Sequence, residues 1–384
     1  MQGASRAGIA LVLILAVSSS TAAASASPFK RTSERIAPGI RLVRLVGERE
    51  PVRAYVLRVV MGRSFAIEPA LAGRAYPSQV STVELASHRS VLAAVNGDMG
   101  DGRPNGAFAV NSTLVSSGLV GGNVVALGAD GSLARVGRPR LRVVARSDLG
   151  WTVRVPAWNA GQPSGSDVVG FTATGGLLEV PPTSACSVRL LPADTIRPST
   201  NPTWRSTAYV VDERACADRA MEIGRGVVLS SRRTGAGARW MRSLTPGAWL
   251  EIAWRSRWPR TSSFQGGRPM LVHHGHVVVS AGCRDLFCLR QPRTGVGIGA
   301  GCLDRDVETH CITLLTVVDG RRRGWSAGMT LIAFARLMRR VGAVEALNMD
   351  GGGSSQLVVS GQVVNRPSER PLRAVPSGWV VRPA

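Results

Sequence analysis

Twice along this chain a short strand-type run breaks off into Asn-x-Asp followed by glycines. Val91 to Val95 leads into Asn96-Gly97-Asp98-Met99-Gly100, and Val344 to Leu347 leads into Asn348-Met349-Asp350-Gly351-Gly352-Gly353-Ser354-Ser355. Each run follows a helix signal. Ahead of the first, Ser81 and Glu84 have capping-box spacing, with Val80 and Leu85 placed for a hydrophobic staple. Ahead of the second, Leu331, Phe334, Ala335 and Met338 recur at i, i+3, i+4, i+7 and predict a helix over 331–340. Thr330 is its N-cap, Arg339 and Arg340 suit the negative end of the dipole, and Gly342 fits a left-handed stop. A capped helix, a buried strand and then a carboxylate among glycines is the layout of a site at a sheet edge, where backbone must approach a ligand closely. Asn, Asp and Gly also make ordinary turns, but three consecutive glycines exceed what a hairpin needs.

The rest of the chain reads mainly as strands. β-type runs occur at 54–60, 226–230, 249–254 and 270–280, the last with a turn at His274-Gly275. Residues 105–145 read as hairpins with Asp130-Gly131 as one turn. Over 146–225 the pattern weakens into Gly, Pro and Ser-bearing segments, with Pro181-Pro182 and 197–202 as surface loops; Cys186 and Cys216 there predict a stapled insertion. Residues 27–50 read as a basic lead-in. The expected fold is α+β: mixed and antiparallel sheets with a few packed helices, forming one catalytic domain over 51–384 with a disulfide-stapled insertion.

The N-terminus predicts export. One arginine, an apolar run from Ala7 to Val17 and then Ala24-Ser25-Ala26 make a signal peptide over 1–26, since the run is shorter than a membrane span of ~20 residues. Six cysteines fall outside it, an even count that in an exported chain predicts disulfides. Fifteen connectivities are open. Proximity favours Cys283–Cys288 and Cys302–Cys311, leaving Cys186–Cys216. The formal charge is +22, carried by arginine, as Lys30 is the only lysine. That charge admits a polyanionic partner, but a GC-rich genome also enriches arginine, and these arginines are scattered instead of massed in a stripe. Nucleic acid is therefore excluded as the partner, while electrostatic association with an anionic cell envelope is expected.

A series of motifs carries a family resemblance. Gly267-Arg268-Pro269, Pro292-Arg293-Thr294-Gly295-Val296-Gly297, Val318-Asp319-Gly320-Arg321, Gly328-Met329-Thr330-Leu331, Leu347 to Ser355 and Val364-Asn365-Arg366-Pro367-Ser368 follow one another in order. This stretch resembles the core of the phosphodiester glycosidase domain, with 268–384 the most diagnostic part. Ala94-Val95-Asn96-Gly97-Asp98 and Pro104-Asn105-Gly106 resemble the family's N-terminal motif. There are two departures. Ala333 stands where the family often has Glu in the helix start, and Gly100 stands where an aromatic residue is common.

The resemblance implies a hydrolase that cuts the bond between a sugar's anomeric carbon and a phosphate diester, in a phosphorylated envelope glycan or glycolipid. Such chemistry needs a carboxylate at the anomeric carbon and a cation for the phosphate. Asp350 and Asp98 are the candidate catalytic pair. Arg293 is the candidate phosphate clamp, with Thr294 beside it and the N–H groups of Gly351, Gly352, Gly353, Ser354 and Ser355 as an anion nest. Asn96, Asn348, Ser354 and Ser355 are candidates for sugar hydroxyls or phosphate oxygens, and Asp319 for orienting the arginine or sitting in a turn. No cofactor is required, although Asp, Asn and carbonyl oxygens are also ligands that Ca²⁺ accepts. His273, His274 and His276 flank a turn whose strands should point them apart, so no metal centre is expected from them. Two rival readings are a non-catalytic binder of phosphorylated polysaccharide and a phosphodiesterase attacking phosphorus. The retained carboxylates speak against the first, and the lack of a metal-ligand cluster speaks against the second.

Overall fold

The computed structural model describes residues 28–383 except 63, 88–90, 130–132, 163–166, 182–184, 194–202, 218, 281, 284 and 303–310. The predicted signal peptide, the Asp130-Gly131 turn and the loop at 197–202 lie outside the described residues. Strands dominate, in two eight-stranded and two five-stranded sheets with one small two-stranded ribbon, and the ladders are almost entirely antiparallel. This is the expected class, with more β-structure and fewer helices than a typical α+β domain. Among the described residues no helix is long and apolar enough to cross a membrane.

The first eight-stranded sheet runs Phe29–Ala37, Ile40–Gly47, Arg53–Val60, Ile312–Val318, Arg293–Ile298, Glu345–Asn348, Met270–His273, His276–Val277. The stretch expected to be a lead-in is thus a hairpin. Ile40, Leu42, Val43 and Leu45 are buried while Arg41 is exposed, and this mostly apolar strand offers a ladder to Phe29–Ala37. Against this sheet packs the helix Leu331–Arg340, which buries Leu331, Phe334, Ala335, Leu337 and Met338. Its start is as predicted, with Thr330 Oγ1 accepting from Ala333 N–H at 3.3 Å. Gly342, at φ 105°, lies just past its end.

One five-stranded sheet runs Gln362–Val363, Leu357–Val359, Ala93–Asn96, Ser377–Pro383, Phe65–Leu71. Its strand Ala93–Asn96 is buried throughout, as a continuous apolar run should be. The helix before it, Thr82–Ser87, starts with the predicted capping box: Ser81 N–H donates to Glu84 Oε2 (2.8 Å) and Glu84 N–H to Ser81 Oγ (3.2 Å). Val95, Leu357, Trp379 and Val381 interlock with Leu57, Val296, Leu315 and Leu347 of the first sheet in one core.

The weakly patterned middle is the largest departure. The strands Ala185–Pro192 and Arg205–Ala215 form the centre of the second eight-stranded sheet, packed with Trp240, Met241, Leu250 and Trp254. A register shift between Arg189 and Leu190 breaks the two-residue alternation that sequence reading relies on. All three disulfides pair as proximity favoured: Cys186–Cys216, Cys283–Cys288 and Cys302–Cys311.

Candidate active site

The two Asn-x-Asp segments leave neighbouring strand ends and meet. Asp350 N–H donates to the carbonyl of Gly97 at 2.9 Å, and Asn96 Nδ2 donates to the carbonyl of Asp350 at 2.7 Å. The juncture is tied further by Thr294 Oγ1, which donates to Asn96 Oδ1 (2.8 Å), and by Gln356 N–H, which donates to the same oxygen (3.2 Å). The shared triplet therefore has a division of labour: the asparagine crosslinks the backbones and the aspartate is left to present a carboxylate.

Those carboxylates have different surroundings. Asp98 is only 3% exposed, with Oδ1 accepting from Met99 N–H (2.8 Å) and Oδ2 from Gly106 N–H (2.6 Å). Burial pushes its pKa from the ordinary 3.8 up to about 6; the two N–H groups and the Arg268 guanidinium oppose the rise, and the charge of Asp350 adds to it. The packing around Oδ2 demands glycine. A Cβ on Gly106 would lie 2.7 Å from Gly266 Cα and 2.9 Å from Asp98 Oδ2. Asp350 is half-buried, and Ser354 Oγ donates to its Oδ2 at 2.5 Å. Burial raises its pKa too, while the Ser354 bond, the Arg373 cation and Gly351 N–H oppose the rise.

The expected phosphate clamp is corrected. Arg293 is 2% exposed, and its guanidinium is consumed by backbone carbonyls: Nε donates to Met329 O (3.0 Å), and Nη2 to Phe287 O (2.8 Å) and Leu289 O (2.5 Å). Burial lowers its pKa to about 10. It binds the 287–289 segment to the sheet and spends three of its five donors doing so. Asp319 is likewise a structural hub, 1% exposed, accepting from Trp325 Nε1 (2.7 Å), Asn365 Nδ2 (3.0 Å) and Arg366 N–H (2.9 Å). It orients no arginine toward substrate.

Other expected ligand contacts are internal as well. Asn348 Nδ2 donates to Arg268 O (2.9 Å) and Met349 O (2.7 Å), and Thr294 Oγ1 lies 3.1 Å from Ser355 Oγ. Asn96, Thr294, Asn348, Ser354 and Ser355 are all buried and build the site floor, with Asn348 Oδ1 left without a partner among the described residues. The glycine loop is not an open anion nest either. Gly352 N–H donates to Pro292 O, Ser354 N–H to Gly351 O and Ser355 N–H to Gly352 O. Its glycines serve close packing: Gly352 has φ 62°, and a Cβ on Gly353 would run into the Glu369 carboxylate.

The cations near the aspartates are ones that motif reading left unassigned. Arg268 is exposed and its charge is felt at Asp98; Arg373 is exposed and its charge is felt at Asp350. Arg373 pairs with Glu369, whose Oε1 lies 3.9 Å from Arg321 Nη1, so a charged cluster covers the glycine loop. Tyr76, buried with its hydroxyl free of partners among the described residues, also senses the Asp98 charge. Arg268 sits in a quoted motif. Nothing in the sequence pattern marked Tyr76, Glu369 or Arg373, which approach only through loop packing.

Comparison with known proteins agrees with the motif resemblance over part of the chain. The model of the phosphodiester glycosidase family matches residues 217–382, a stretch that contains Asp350 but not Asp98. A hypothetical protein from Synechocystis has a similar fold, with 19% identity and a TM-score of 0.68 over 93% of this chain. This chain spans 64% of the length of that protein. A putative exported protein from Burkholderia pseudomallei K96243 is similar at 20% identity and a TM-score of 0.62, covering 86% of this chain and 74% of that one. The catalytic domain of zebrafish N-acetylglucosamine-1-phosphodiester alpha-N-acetylglucosaminidase, auto-inhibited by its pro-peptide, aligns at 13% identity and a TM-score of 0.46, over 94% of this chain and 85% of that one. No curated protein matches.

Proposed function

We propose that this chain, whose residues 217–382 match the phosphodiester glycosidase family, is an exported hydrolase that cleaves sugar 1-phosphodiesters. The observation that carries the reading is the meeting of the segments of Asp98 and Asp350, 252 positions apart, which brings a buried and a half-buried carboxyl together, Asp98 feeling the charge of Asp350, with exposed arginines whose charges reach them. Pairs of carboxyls with shifted, unequal acidities are what glycoside hydrolysis uses. Asp98 holds a proton in mildly acidic solution and delivers it to the departing phosphate oxygen. The carboxylate of Asp350, steadied by Ser354, stabilises positive charge at the anomeric carbon as the carbon–oxygen bond breaks. Water adds to the anomeric carbon as the new hydroxyl, its second proton passes through solvent to restore Asp98, and the phosphate leaves as a monoester. Arg268 takes the role that sequence reading gave to Arg293, since a guanidinium fork matches two phosphate oxygens. Three disulfides and the apolar N-terminal run support export to an oxidising compartment.

The direct test is release of sugar and phosphate monoester from a nitrophenyl-type sugar 1-phosphodiester, compared between wild type and Asp350→Asn. The proposal expects turnover by the wild type and its near-loss in the variant. A wild type that binds the diester but never releases sugar would convert the reading into a phosphoglycan-binding protein.

A further inference from the structure

At the far end of the strand that leads to Asp350, a second cluster of functional side chains gathers. Glu345 opens the strand Glu345–Asn348, pairs in register with Ile298, and its side chain is only 3% exposed. The hairpin Met270–His273 and His276–Val277 folds over it, with His274 and Gly275 at φ 47° and 75° in the turn. This turn corrects the expectation that the imidazoles point apart. His273 Nδ1 lies 2.8 Å from Glu345 Oε2 and 3.1 Å from Oε1, and His274 Nδ1 lies 3.3 Å from Oε1. Alternation along a strand holds only while the strand continues, and the left-handed φ of His274 swings the second ring to the same side, 4.0 Å from the first.

The cluster offers three donor groups from which a cation could be held. A buried carboxylate costs several kcal/mol unless its charge is compensated. The groups aimed at Glu345 are His274 N–H at 3.0 Å and the two imidazoles. Both rings direct Nδ1 inward, and these nitrogens and a Glu345 oxygen all lie within 4.8 Å of one another. Zn²⁺ binds nitrogen and carboxylate oxygen at ~2.0–2.2 Å, which in a tetrahedron sets donor atoms roughly 3.3 Å apart. The nitrogen-to-oxygen separations of 2.8 and 3.3 Å lie close to that spacing. His274 N–H also fixes the carboxylate orientation from outside the donor set, as supporting groups do in metal sites.

We propose that His273, His274 and Glu345 form a zinc site, with the fourth position open to water. The rings are 45% and 71% exposed, which gives the ion a path in. The ion ties the sheet-edge hairpin to the strand that presents Asp350. It does not belong to the aspartate pair, because five residues of extended chain separate Glu345 from Asp350 by on the order of 15 Å. The inference stands whether or not the hydrolase reading is correct.

The test uses the full chain stripped with a chelator, dialysed against Zn²⁺ and analysed for bound metal alongside thermal unfolding. One zinc per chain and a melting midpoint that rises with zinc concentration are expected. His274→Ala, exposed enough to leave the fold intact, should weaken binding at least about tenfold. Asp350→Asn should bind zinc as the wild type does. Failure of the wild type to retain zinc, or equal retention by His274→Ala, overturns the proposal.

Discussion

Asn96-Gly97-Asp98 and Asn348-Met349-Asp350 are the same device used twice, and the differences between them are instructive. In both, the asparagine is fully buried and ties backbone to backbone. Asp98 is then held by backbone N–H groups inside a glycine-lined pocket, whereas Asp350 is held by a side-chain hydroxyl beneath a charged cluster. Backbone donors in a tight pocket leave desolvation dominant, so Asp98 is pushed to about 6. Asp350, nearer to solvent, is also raised by burial, and the Ser354 bond and the Arg373 cation oppose that rise. Equal sequence motifs thus become unequal acids through what packs on them.

Asp350→Asn gives the largest expected effect and would break the comparison outright if it failed. Removing the charge at the anomeric centre should lower kcat by on the order of 10²-fold or more with little change in KM, in steady-state assays of a sugar 1-phosphodiester. Near-normal kcat would move the role to Asp98.

Asp98 sharpens the comparison through pH. Activity should fall as pH rises through about 6, and Asp98→Asn should abolish that limb of the kcat/KM profile. Stability should move with the same group. Its folded pKa lies above the ordinary 3.8, so its contribution is complete below pH 4 and is lost as pH climbs through about 6. Denaturant midpoints measured across pH 4–7 check this, and a flat profile would refute the assigned shift.

The two arginines differ in kind. Arg293→Ala removes the side-chain donor from the part-buried carbonyls of Phe287 and Leu289 and should cost roughly 1–3 kcal/mol in urea unfolding. Arg268→Ala should leave stability within about 0.5 kcal/mol of wild type and raise KM for the diester by about tenfold. Reversal of these outcomes would restore Arg293 as the phosphate partner. Smallest of all, Ser81→Ala should cost about 1 kcal/mol by removing the capping box ahead of Ala93–Asn96, with kinetics unchanged.

How much of this was legible in the chain varies by residue. The helices at Thr82 and Leu331 announced themselves because their caps are local, each cap residue and its partner lying within one turn. The buried strands Ala93–Asn96 and Glu345–Asn348 were visible as apolar runs, and the disulfides as near neighbours. The strand at 205–215 escaped because an extra residue at Asp212 disrupts its alternation, and the one at 185–192 because its first four residues are buried on both faces.

The sequence by itself determined where carboxylates, glycines and caps fall, since these depend on bonds and sterics within a few residues. It also supplied the motif order that resembles the family. Only the tertiary structure decided which charges face solvent. Arg293 and Arg268 are both motif arginines, yet one spends donors on carbonyls of the 287–289 loop and Met329, and the other is exposed with its charge felt at Asp98. A guanidinium's role is set by which acceptors lie within about 3 Å of it, and those acceptors come from segments distant in the chain.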